Sequence, residues 1–454
     1  ALANGKRDVA AAALVETEKL VSTASWRYTD ADDLVALGEI AIALGADAKA
    51  VQEGFFERSR KNYPNRPDGF VAAGRLALKK GDAVFAAELL TAAEKSMPDQ
   101  ADIAFLLSEV YRTSDGEKAT ELLKKSLELN SNYAPALLRI TEQQIDREEY
   151  SAAEKTIQQI LSVNPNQPEA HSLQSVIWHL RNDEVAADAS RAAALKFSTT
   201  NPEVDHLIGR KLSQKYRFVE GAESQRKALE ADVEFVDARI QLAQDLLRLG
   251  IEEEGWQQAE QAYKADGYNT TLFNLLKLKD SLGRFTTVSS EHFQVRMETN
   301  EAAVYGPRVL ALLEQAWTDA TARYGFSPEV PVYVEIYPRV DDFAVRTFGV
   351  PDVAGFLGVC FGKVVTANSP ATRKENPGSW ESVLWHEFCH VITLQKTSNR
   401  MPRWLSEGIS VFEERRTDSR WGQHMTPGFR GRILADEVTP VAELSSAFLT
   451  AKSG

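Results

Sequence analysis

The sequence predicts a multidomain chain with two parts: an all-α array of helical repeats over residues 1–285 and an α+β lobe over residues 286–454. Three observations lead to this division. Small residues recur at a fixed interval in the first part. Apolar and polar residues then begin to alternate after Ser290, which is typical of a strand. Finally, an H-E-x-x-H motif, a pattern that binds metal when it lies on a helix, begins at His386.

The repeat array is indicated by the spacing of its small residues. Ala119, Ala153 and Ala187 are 34 residues apart, and the period roughly continues to Ala222 and Gly255. Proline or asparagine recurs in step between the units. A 34-residue period of this kind is the signature of tetratricopeptide repeats, which the region resembles. About six to seven units are expected to stack into a solenoid, because no single unit can bury its apolar face, and the concave face is expected to bind a protein partner.

The lobe is expected to contain a strand, a long helix, a second strand, a Gly-rich bent hairpin and then two helices. Alternation in one segment and helical spacing in the next support the first two assignments. Glycines and β-branched residues favour the bent hairpin or an edge strand. The predicted positions are 293–297, 302–324, 331–337 and 355–367, with the last two helices starting near Ser379 and Pro402, the second of them running to about Arg415.

The most informative motif is His386-Glu387-Phe388-Cys389-His390. Residues at i and i+4 lie on one face of a helix, so the two imidazoles can share one zinc ion, and Glu387 can act as general base on bound water. Apolar residues at helical spacing bury the motif, where charged groups are costly without a partner such as a metal. The alternative is a helix whose histidines are simply hydrogen-bonded core residues.

Glu407 is the predicted third ligand, because two histidines and a glutamate are a standard catalytic zinc set. Gly408 is expected to let its helix approach the metal helix closely. Ser406 and Glu414 are candidates for orienting the ligands from behind, Glu414 because it lies on the same face two turns later. The alternative for Glu407 and Glu414 is that they are solvated residues of an amphipathic helix.

The motif and the following P-x-W-L-x-E-G resemble the gluzincin metallopeptidases, which include the thermolysin-like and aminopeptidase branches. The runs at 290–293, 324–328, 331–337 and 358–362 resemble a bacterial peptidase-MA-like family that is fused to tetratricopeptide repeats. This resemblance covers roughly residues 286–454. It implies a zincin-like fold, zinc as the cofactor with His386, His390 and Glu407 as its ligands, Glu387 as the base, and a peptide or protein substrate.

The resemblance also implies an edge strand that binds the substrate backbone. The residues expected to do so are Val359, Cys360, Phe361, Gly362, Val364 and Val365. One position departs from the family pattern: thermolysin-like enzymes carry aspartate four residues after the ligand glutamate, where this chain has Val411. The surroundings of the ligands are therefore expected to differ from those in thermolysin.

Gluzincins usually supply a tyrosine or histidine from a later helix to stabilise the oxyanion. After Glu407 this chain has one histidine, His424, and no tyrosine. His424 is thus the candidate oxyanion donor, and the alternative is an ordinary turn residue. The pattern of residues 1–24 fits the second half of a repeat, so we expect a fragment of a longer protein whose lobe is incomplete at its C-terminus.

The bulk composition excludes some functions. A net charge of −13 argues against a broad surface for nucleic acid or anionic membrane, and no apolar run is long enough to span a bilayer. Cys360 and Cys389 are expected to be small buried residues without a disulfide framework. The sequence does not indicate a compartment.

The function predicted is therefore a zinc-dependent metallopeptidase whose repeats recruit a substrate or partner. A second hypothesis is a tetratricopeptide interaction scaffold with a catalytically idle lobe. Hydrolysis of a non-peptide amide is a third.

Overall fold

The computed structural model describes residues 28–43, 45–267, 269–351, 353, 355–372, 379–422 and 424–450, together with residues 9, 12, 13, 15 and 19. The half-repeat predicted at 1–24 lies mostly outside this part of the chain. Two compact units are formed, one by residues 1–145, 149–208 and 227–235 and the other by 146–148, 209–226 and 236–454. The domain boundary predicted after residue 285 stays a prediction, since the change from helix to strand occurs within the second unit.

Helices occupy the repeat region as predicted. Asparagine or aspartate side chains cap several of them by accepting a hydrogen bond from a backbone N–H in the first turn. The helices are α1 (Ala31–Ala43), α2 (Ala48–Val51), α3 (Glu57–Asn62, after a π-helical stretch Gln52–Phe56), α4 (Asp68–Lys79), α5 (Ala83–Ser96), α6 (Ala101–Tyr111), α7 (Gly116–Leu129), α8 (Ala134–Asp146), α9 (Tyr150–Val163), α10 (Pro168–Leu180), α11 (Glu184–Ala194), α12 (Pro202–Gln214), α13 (Phe218–Ala231), α14 (Val236–Arg248), α15 (Glu252–Ala265) and α16 (Thr270–Ser281).

The small residues that set the predicted period are mostly at packed positions. Ala153, Ala187 and Ala222 are fully buried, whereas Ala119 is half-buried. At Gly255, a Cβ atom would lie 2.9 Å from Cγ of Leu247, so a larger residue would push the neighbouring helix away. Small side chains therefore permit close helix packing here, as the sequence predicts.

A left-handed backbone residue recurs in the turn between the paired helices of four successive repeats. The residues are Glu148, Asn182, Tyr216 and Gly250, with φ angles of 62°, 61°, 63° and 78°. Glycine and asparagine adopt this conformation readily, whereas it costs other residues roughly 1–2 kcal/mol. Tyr216 is therefore an unfavourable choice for its backbone position.

The lobe contains a mixed five-stranded sheet in the order β1-β2-β3-β5-β4. β2 and β3 are parallel, as are β3 and β5, while β1 pairs antiparallel with β2 and β4 antiparallel with β5. The predicted bent hairpin at 355–367 is thus present as β4 and β5. The strands are β1 (Phe285–Ser289), β2 (Phe293–Glu298), β3 (Val332–Tyr337), β4 (Gly358–Cys360) and β5 (Val364–Asn368).

The helices of the lobe include the three that the sequence predicts and three that it did not. The long helix α17 (Thr299–Tyr324), the metal helix α19 (Trp380–Lys396) and the following helix α20 (Arg403–Thr417) are close to their predicted bounds. The additional helices are α18 (Val340–Phe348), α21 (Pro427–Leu434) and α22 (Leu444–Thr450).

Both faces of the sheet are covered by helices of the same unit. On β3, Val334 and its alternate neighbours face a core formed with α17 and α19. Tyr333 and Tyr337 face the opposite side, against α18 and apolar residues of the last repeats such as Leu247 and Trp256. The final repeat helices therefore supply one of the two layers that bury the sheet.

Cys360 and Cys389 are buried free thiols, as the sequence predicts. In the described part of the chain, no helix has the length and apolar character that crossing a membrane requires.

Candidate metal centre and its cavity

The metal helix α19 begins where the sequence predicts. The backbone N–H of Ser382 donates to Oγ of Ser379 at 3.1 Å, which satisfies one of the free donors of the first turn. His386 and His390 then follow one turn apart, and Nε2 of one lies 3.1 Å from Nε2 of the other. The two imidazoles therefore point to a common position beside the helix.

The second helix, α20, is held beside α19 by buried polar contacts. Glu413 is 1% exposed, forms an ion pair with Arg323 at the end of α17, and accepts a hydrogen bond of 2.7 Å from Tyr324. Gly408 does not have the role expected of it, because a Cβ atom there would meet nothing within 4 Å. The placement of α20 thus depends on Glu413 rather than on glycine.

Glu407 on α20 completes a triangle of donor atoms. Its Oε2 lies 3.2 Å from Nε2 of His386 and 3.5 Å from Nε2 of His390. Four ligands placed tetrahedrally at 2.0–2.1 Å from zinc would be about 3.3–3.4 Å apart, so the three edges of this triangle match that geometry. Two imidazoles and a carboxylate also suit zinc chemically, and the described residues hold no other such group of ligands.

Hydrogen bonds behind the histidines leave both Nε2 atoms available to a metal. Nδ1–H of His386 donates to Oε1 of Glu414 at 2.5 Å, and the hydroxyl of Ser382 donates to the other carboxylate oxygen at 2.5 Å. Nδ1 of His390 lies 2.8 Å from Oγ of Ser406, which in turn lies 2.7 Å from Oγ1 of Thr393. Ser406 and Glu414 therefore lie behind the two histidines, on the side of their Nδ1 atoms.

The electrostatics of the cluster favour a cation. Burial lowers the pKa of His386, but hydrogen bonds to Glu407 and Glu414 outweigh it and raise that pKa to about 10. Although burial raises the pKa of Glu407, the two histidines hold it well below its usual range. Without a metal, His386 therefore carries a proton, and this proton supplies the positive charge that a bound metal ion would supply instead.

Glu387 is buried against strand β4. Burial raises the pKa of its carboxyl group, which is only 6% exposed. A Cβ atom on Gly358 would lie 2.7 Å from Cγ of Glu387 and 2.8 Å from Oε1. The absence of a side chain at residue 358 therefore makes room for the candidate base.

A cavity of about 700 Å³ opens onto these groups. His386, Glu387, His390 and Glu407 line it, together with residues 355–360 and Arg403. Residues 214–216 and Glu148, which belong to the repeat helices or the turns between them, line it as well. All of these residues lie in the second compact unit.

The structure reduces the number of residues that can form the predicted substrate-binding edge. β5 pairs with β3 on one side and β4 on the other, so the backbone groups of Val364 and Val365 are used within the sheet. Phe361 is packed against Phe218, and the carbonyl of Gly362 accepts a hydrogen bond from Gln395 at 3.0 Å. These four residues are therefore not a binding edge, and the candidate edge is β4.

Within β4 the direction of the backbone groups can be inferred from the pairing pattern. Asn368 and Phe361 donate their N–H groups to Leu357 and Val364 respectively. Because the bonds of an antiparallel pair alternate, Leu357, Val359 and Phe361 point toward β5, whereas Gly358 and Cys360 point to the outer edge. Both of these residues line the cavity.

His424 is not placed to act as oxyanion donor. It is an exposed residue between α20 and α21 and is not among the residues lining the cavity. The cavity includes Tyr216 instead, which sequence reasoning did not select. The sequence contained one indication of this residue. The repeat period aligns Tyr216 with Asn182 and Gly250, one repeat before and after it, so tyrosine stands at a turn position where those repeats have asparagine and glycine.

Comparison with known proteins identifies the repeat region. Residues 112–177 match the family model for the tetratricopeptide repeat. The chain contains tetratricopeptide repeats. This match supports protein partners for the repeat region and does not extend into the lobe. No curated protein matches the chain.

Several solved structures resemble part of the chain. TTC0263, a thermophilic TPR protein of Thermus thermophilus, is 23% identical with a TM-score of 0.29 over 48% of this chain and 99% of that one. PilF of Pseudomonas aeruginosa is 14% identical with a TM-score of 0.30, covering 47% and 97%. The Cut9–Hcn1 hetero-tetramer of the APC/C is 10% identical with a TM-score of 0.35, covering 57% and 54%. Because the TM-scores are this low, neither the architecture nor the function of these proteins can be assigned to this chain.

Proposed function

We propose that the chain is a zinc-dependent metallopeptidase whose repeat region recruits a protein substrate or partner. The observation that carries the proposal is the triangle of donor atoms from His386, His390 and Glu407, with edges of 3.1, 3.2 and 3.5 Å. A buried carboxylate, Glu387, and a cavity of about 700 Å³ lie beside it. An arrangement that only stabilised the fold would not need the cavity.

The metal would be held by Nε2 of both histidines and by Oε2 of Glu407. When bound, zinc supplies a Lewis acid that polarises a carbonyl group and lowers the pKa of a bound water toward ~7. With the metal bound, Glu414 would accept from Nδ1–H of His386 and Ser406 could accept from Nδ1–H of His390, which would leave each Nε2 free to bind it. Fixing the rings in this way reduces the reorganisation that binding requires.

Glu387 would handle the protons of the reaction. Its position on α19, next to His386, places its carboxylate on the wall of the same cavity. Burial raises its pKa, which makes the carboxylate a better proton acceptor, and the protonated group would then donate to the leaving amine. A positioned group of this kind typically contributes ~10²–10⁴-fold to the rate.

Strand β4 would position the substrate. Gly358 and Cys360 direct their backbone groups to the outer edge of the sheet, where an extended peptide can pair as an additional strand. Pairing through the main chain suits a peptide better than an isolated amide. Main-chain pairing also predicts that substrates with different side chains at alternate positions bind with similar affinity.

A second candidate function is that of an interaction scaffold with an idle lobe. The match of residues 112–177 to the tetratricopeptide repeat family favours it directly. Repeat arrays bind other proteins through extended surfaces. The two candidates differ in one respect, which is whether the lobe turns over a substrate.

The test combines elemental analysis with a peptide-library assay read by mass spectrometry. The wild-type chain is expected to hold one zinc ion and to cleave peptides. Glu387→Gln, which preserves the shape of the side chain but cannot accept the proton, should retain zinc and lose ~10²–10⁴-fold in turnover. A wild-type chain that holds zinc but cleaves nothing in the library would favour the scaffold, and equal activity in the variant would remove Glu387 from the mechanism.

A further inference from the structure

Tyr216 lies in a turn between two repeat helices, yet it lines the candidate active-site cavity with His386, Glu387 and Glu407. Its backbone is left-handed, with a φ of 63°. The equivalent turns use Glu148, Asn182 and Gly250, and the conformation is inexpensive for the last two. Tyrosine is therefore not a residue that this backbone position favours.

The turn is fixed to the wall of the cavity from two sides. Nδ2 of Asn399, just beyond the metal helix, donates to the carbonyl oxygen of Tyr216 at 2.6 Å. The Tyr216 ring packs against Phe218 and against Phe361, which directly follows β4, with centroid separations of 5.3 and 6.4 Å. The side chain is thus held between the metal helix and the candidate substrate edge.

The hydroxyl of Tyr216 is available as a donor. It has no hydrogen-bond partner among the described residues, and it is not one of the fully buried side-chain atoms that lack a partner, so solvent reaches it. Tyr216 is one of the residues that line the cavity. Burial raises the pKa of Tyr216, although nearby Arg403 opposes this effect, so the hydroxyl stays protonated near neutral pH.

The cations that line the same cavity are already engaged. Lys215 pairs with Glu148 and donates to the carbonyl oxygen of Asp146 at 2.7 Å. Arg403 lies 3.6 Å from the second carboxylate oxygen of the ligand Glu407. A neutral hydroxyl without a partner is better suited than either to an anion that exists only during the reaction.

We infer that Tyr216 is a catalytic residue contributed by the repeat region, whose hydroxyl donates a hydrogen bond to the substrate carbonyl oxygen as negative charge develops on it. This inference rests on the proposed peptidase function. A donor that is in place before the charge forms stabilises the transition state without reorganising, and loss of one such donor typically lowers kcat ~10²–10³-fold. Tyr216 itself forms no covalent bond and keeps its proton.

The first experiment compares wild type, Tyr216→Phe and the control Tyr263→Phe on the best substrate from a peptide library, at equal zinc content. Tyr263 is a half-buried tyrosine of α15 that packs within the repeats and does not line the cavity. Tyr216→Phe is expected to lower kcat by ~10²–10³-fold with KM unchanged within a factor of about two, and the control should match wild type. Equal kcat in Tyr216→Phe and wild type would overturn the inference.

The second experiment does not depend on turnover. A doubly capped phosphinic dialanine, whose tetrahedral oxyanion mimics the charge distribution of the transition state, is titrated calorimetrically into the zinc-loaded proteins. Tyr216→Phe is expected to bind it at least about tenfold more weakly than wild type and Tyr263→Phe do. If wild type cleaves no peptide but this loss of affinity is found, the peptidase proposal fails while Tyr216 remains the oxyanion donor. Equal affinity in all three proteins, or no binding to any of them, would overturn the inference.

Discussion

Glu387 occupies the space that a side chain on Gly358 would need. A Cβ atom at residue 358 would lie 2.7 Å from Cγ of Glu387 and 2.8 Å from Oε1, closer than unbonded atoms approach. The candidate base and the candidate substrate edge are therefore fitted to each other, although they lie far apart in the sequence.

Gly358→Ala should displace the base without removing the metal. The added methyl group must push the Glu387 carboxylate away from β4, and misplacement of about 1 Å can cost ~10²-fold in rate. We expect kcat on peptides to fall by at least about tenfold while the zinc content stays at one per chain. The matched control is Gly408→Ala, whose methyl group would enter open space. Full activity in Gly358→Ala would show that Glu387 does not need its present position.

His386→Ala should abolish stoichiometric zinc binding. Only His390 and Glu407 would remain, and two protein ligands rarely hold a catalytic ion. Elemental analysis after dialysis measures the effect, with His424→Ala as control because that residue is exposed and remote from the cavity lining. One zinc per chain in His386→Ala would mean that the ligand set is wrong.

Glu414→Gln should weaken zinc binding without abolishing it. The change removes the charge that accepts from Nδ1–H of His386 while preserving the shape of the side chain. Partners of this kind are typically worth 10–100-fold in metal affinity. Competition with a chelator gives the zinc Kd, and Glu291→Gln, at an exposed position, serves as control. An unchanged Kd would reduce Glu414 to a packing role.

Asp245 should make the second unit less stable as pH rises. Burial raises its pKa from 3.8 to about 7, while Ser213 and Gln241 donate to it at 2.7 and 2.9 Å. Between about pH 4 and pH 7 the unfolded chain loses this proton and the folded chain keeps it, so the free energy of unfolding falls as pH rises through that window. Three pKa units correspond to about 4 kcal/mol as an upper bound.

The measurement is the pH dependence of Tm between about pH 4.5 and 8, chosen to span that window. Asp245→Asn cannot titrate, so its Tm should decline less steeply with pH than that of wild type. Asp237→Asn, at an exposed position on the same helix, should keep the wild-type slope. Parallel curves for Asp245→Asn and wild type would rule out a contribution from this carboxyl group.

Local periodicity was enough to predict several elements of the lobe. The alternation at 293–297 marks β2, and the apolar spacing across 302–324 marks α17. The i, i+4 spacing of His386 and His390 determines their common face once a helix is assumed. Glu414 followed from the helical phase of Glu407 in the same way.

Local periodicity could not predict features that depend on the order of strands in the sheet or on contacts between residues far apart in the sequence. Val364 and Val365 look like edge residues in the sequence, but β5 is inserted between β3 and β4. β1 has a mixed burial pattern rather than clean alternation, which leaves little signal for a strand. Tyr216 reaches the cavity only through tertiary contacts with Asn399 and Phe361.

The cover that the last repeats give to the sheet has a practical consequence for dissecting the protein. Cutting the chain after residue 285 would remove Leu247, Trp256 and Leu275 from the apolar face that Tyr337 and Val364 present. The resulting fragment would expose the apolar side chains of these strands to solvent and would aggregate readily. The helices nearest the lobe are part of its interior, so exchanging this repeat array for another would require redesigning one side of the sheet.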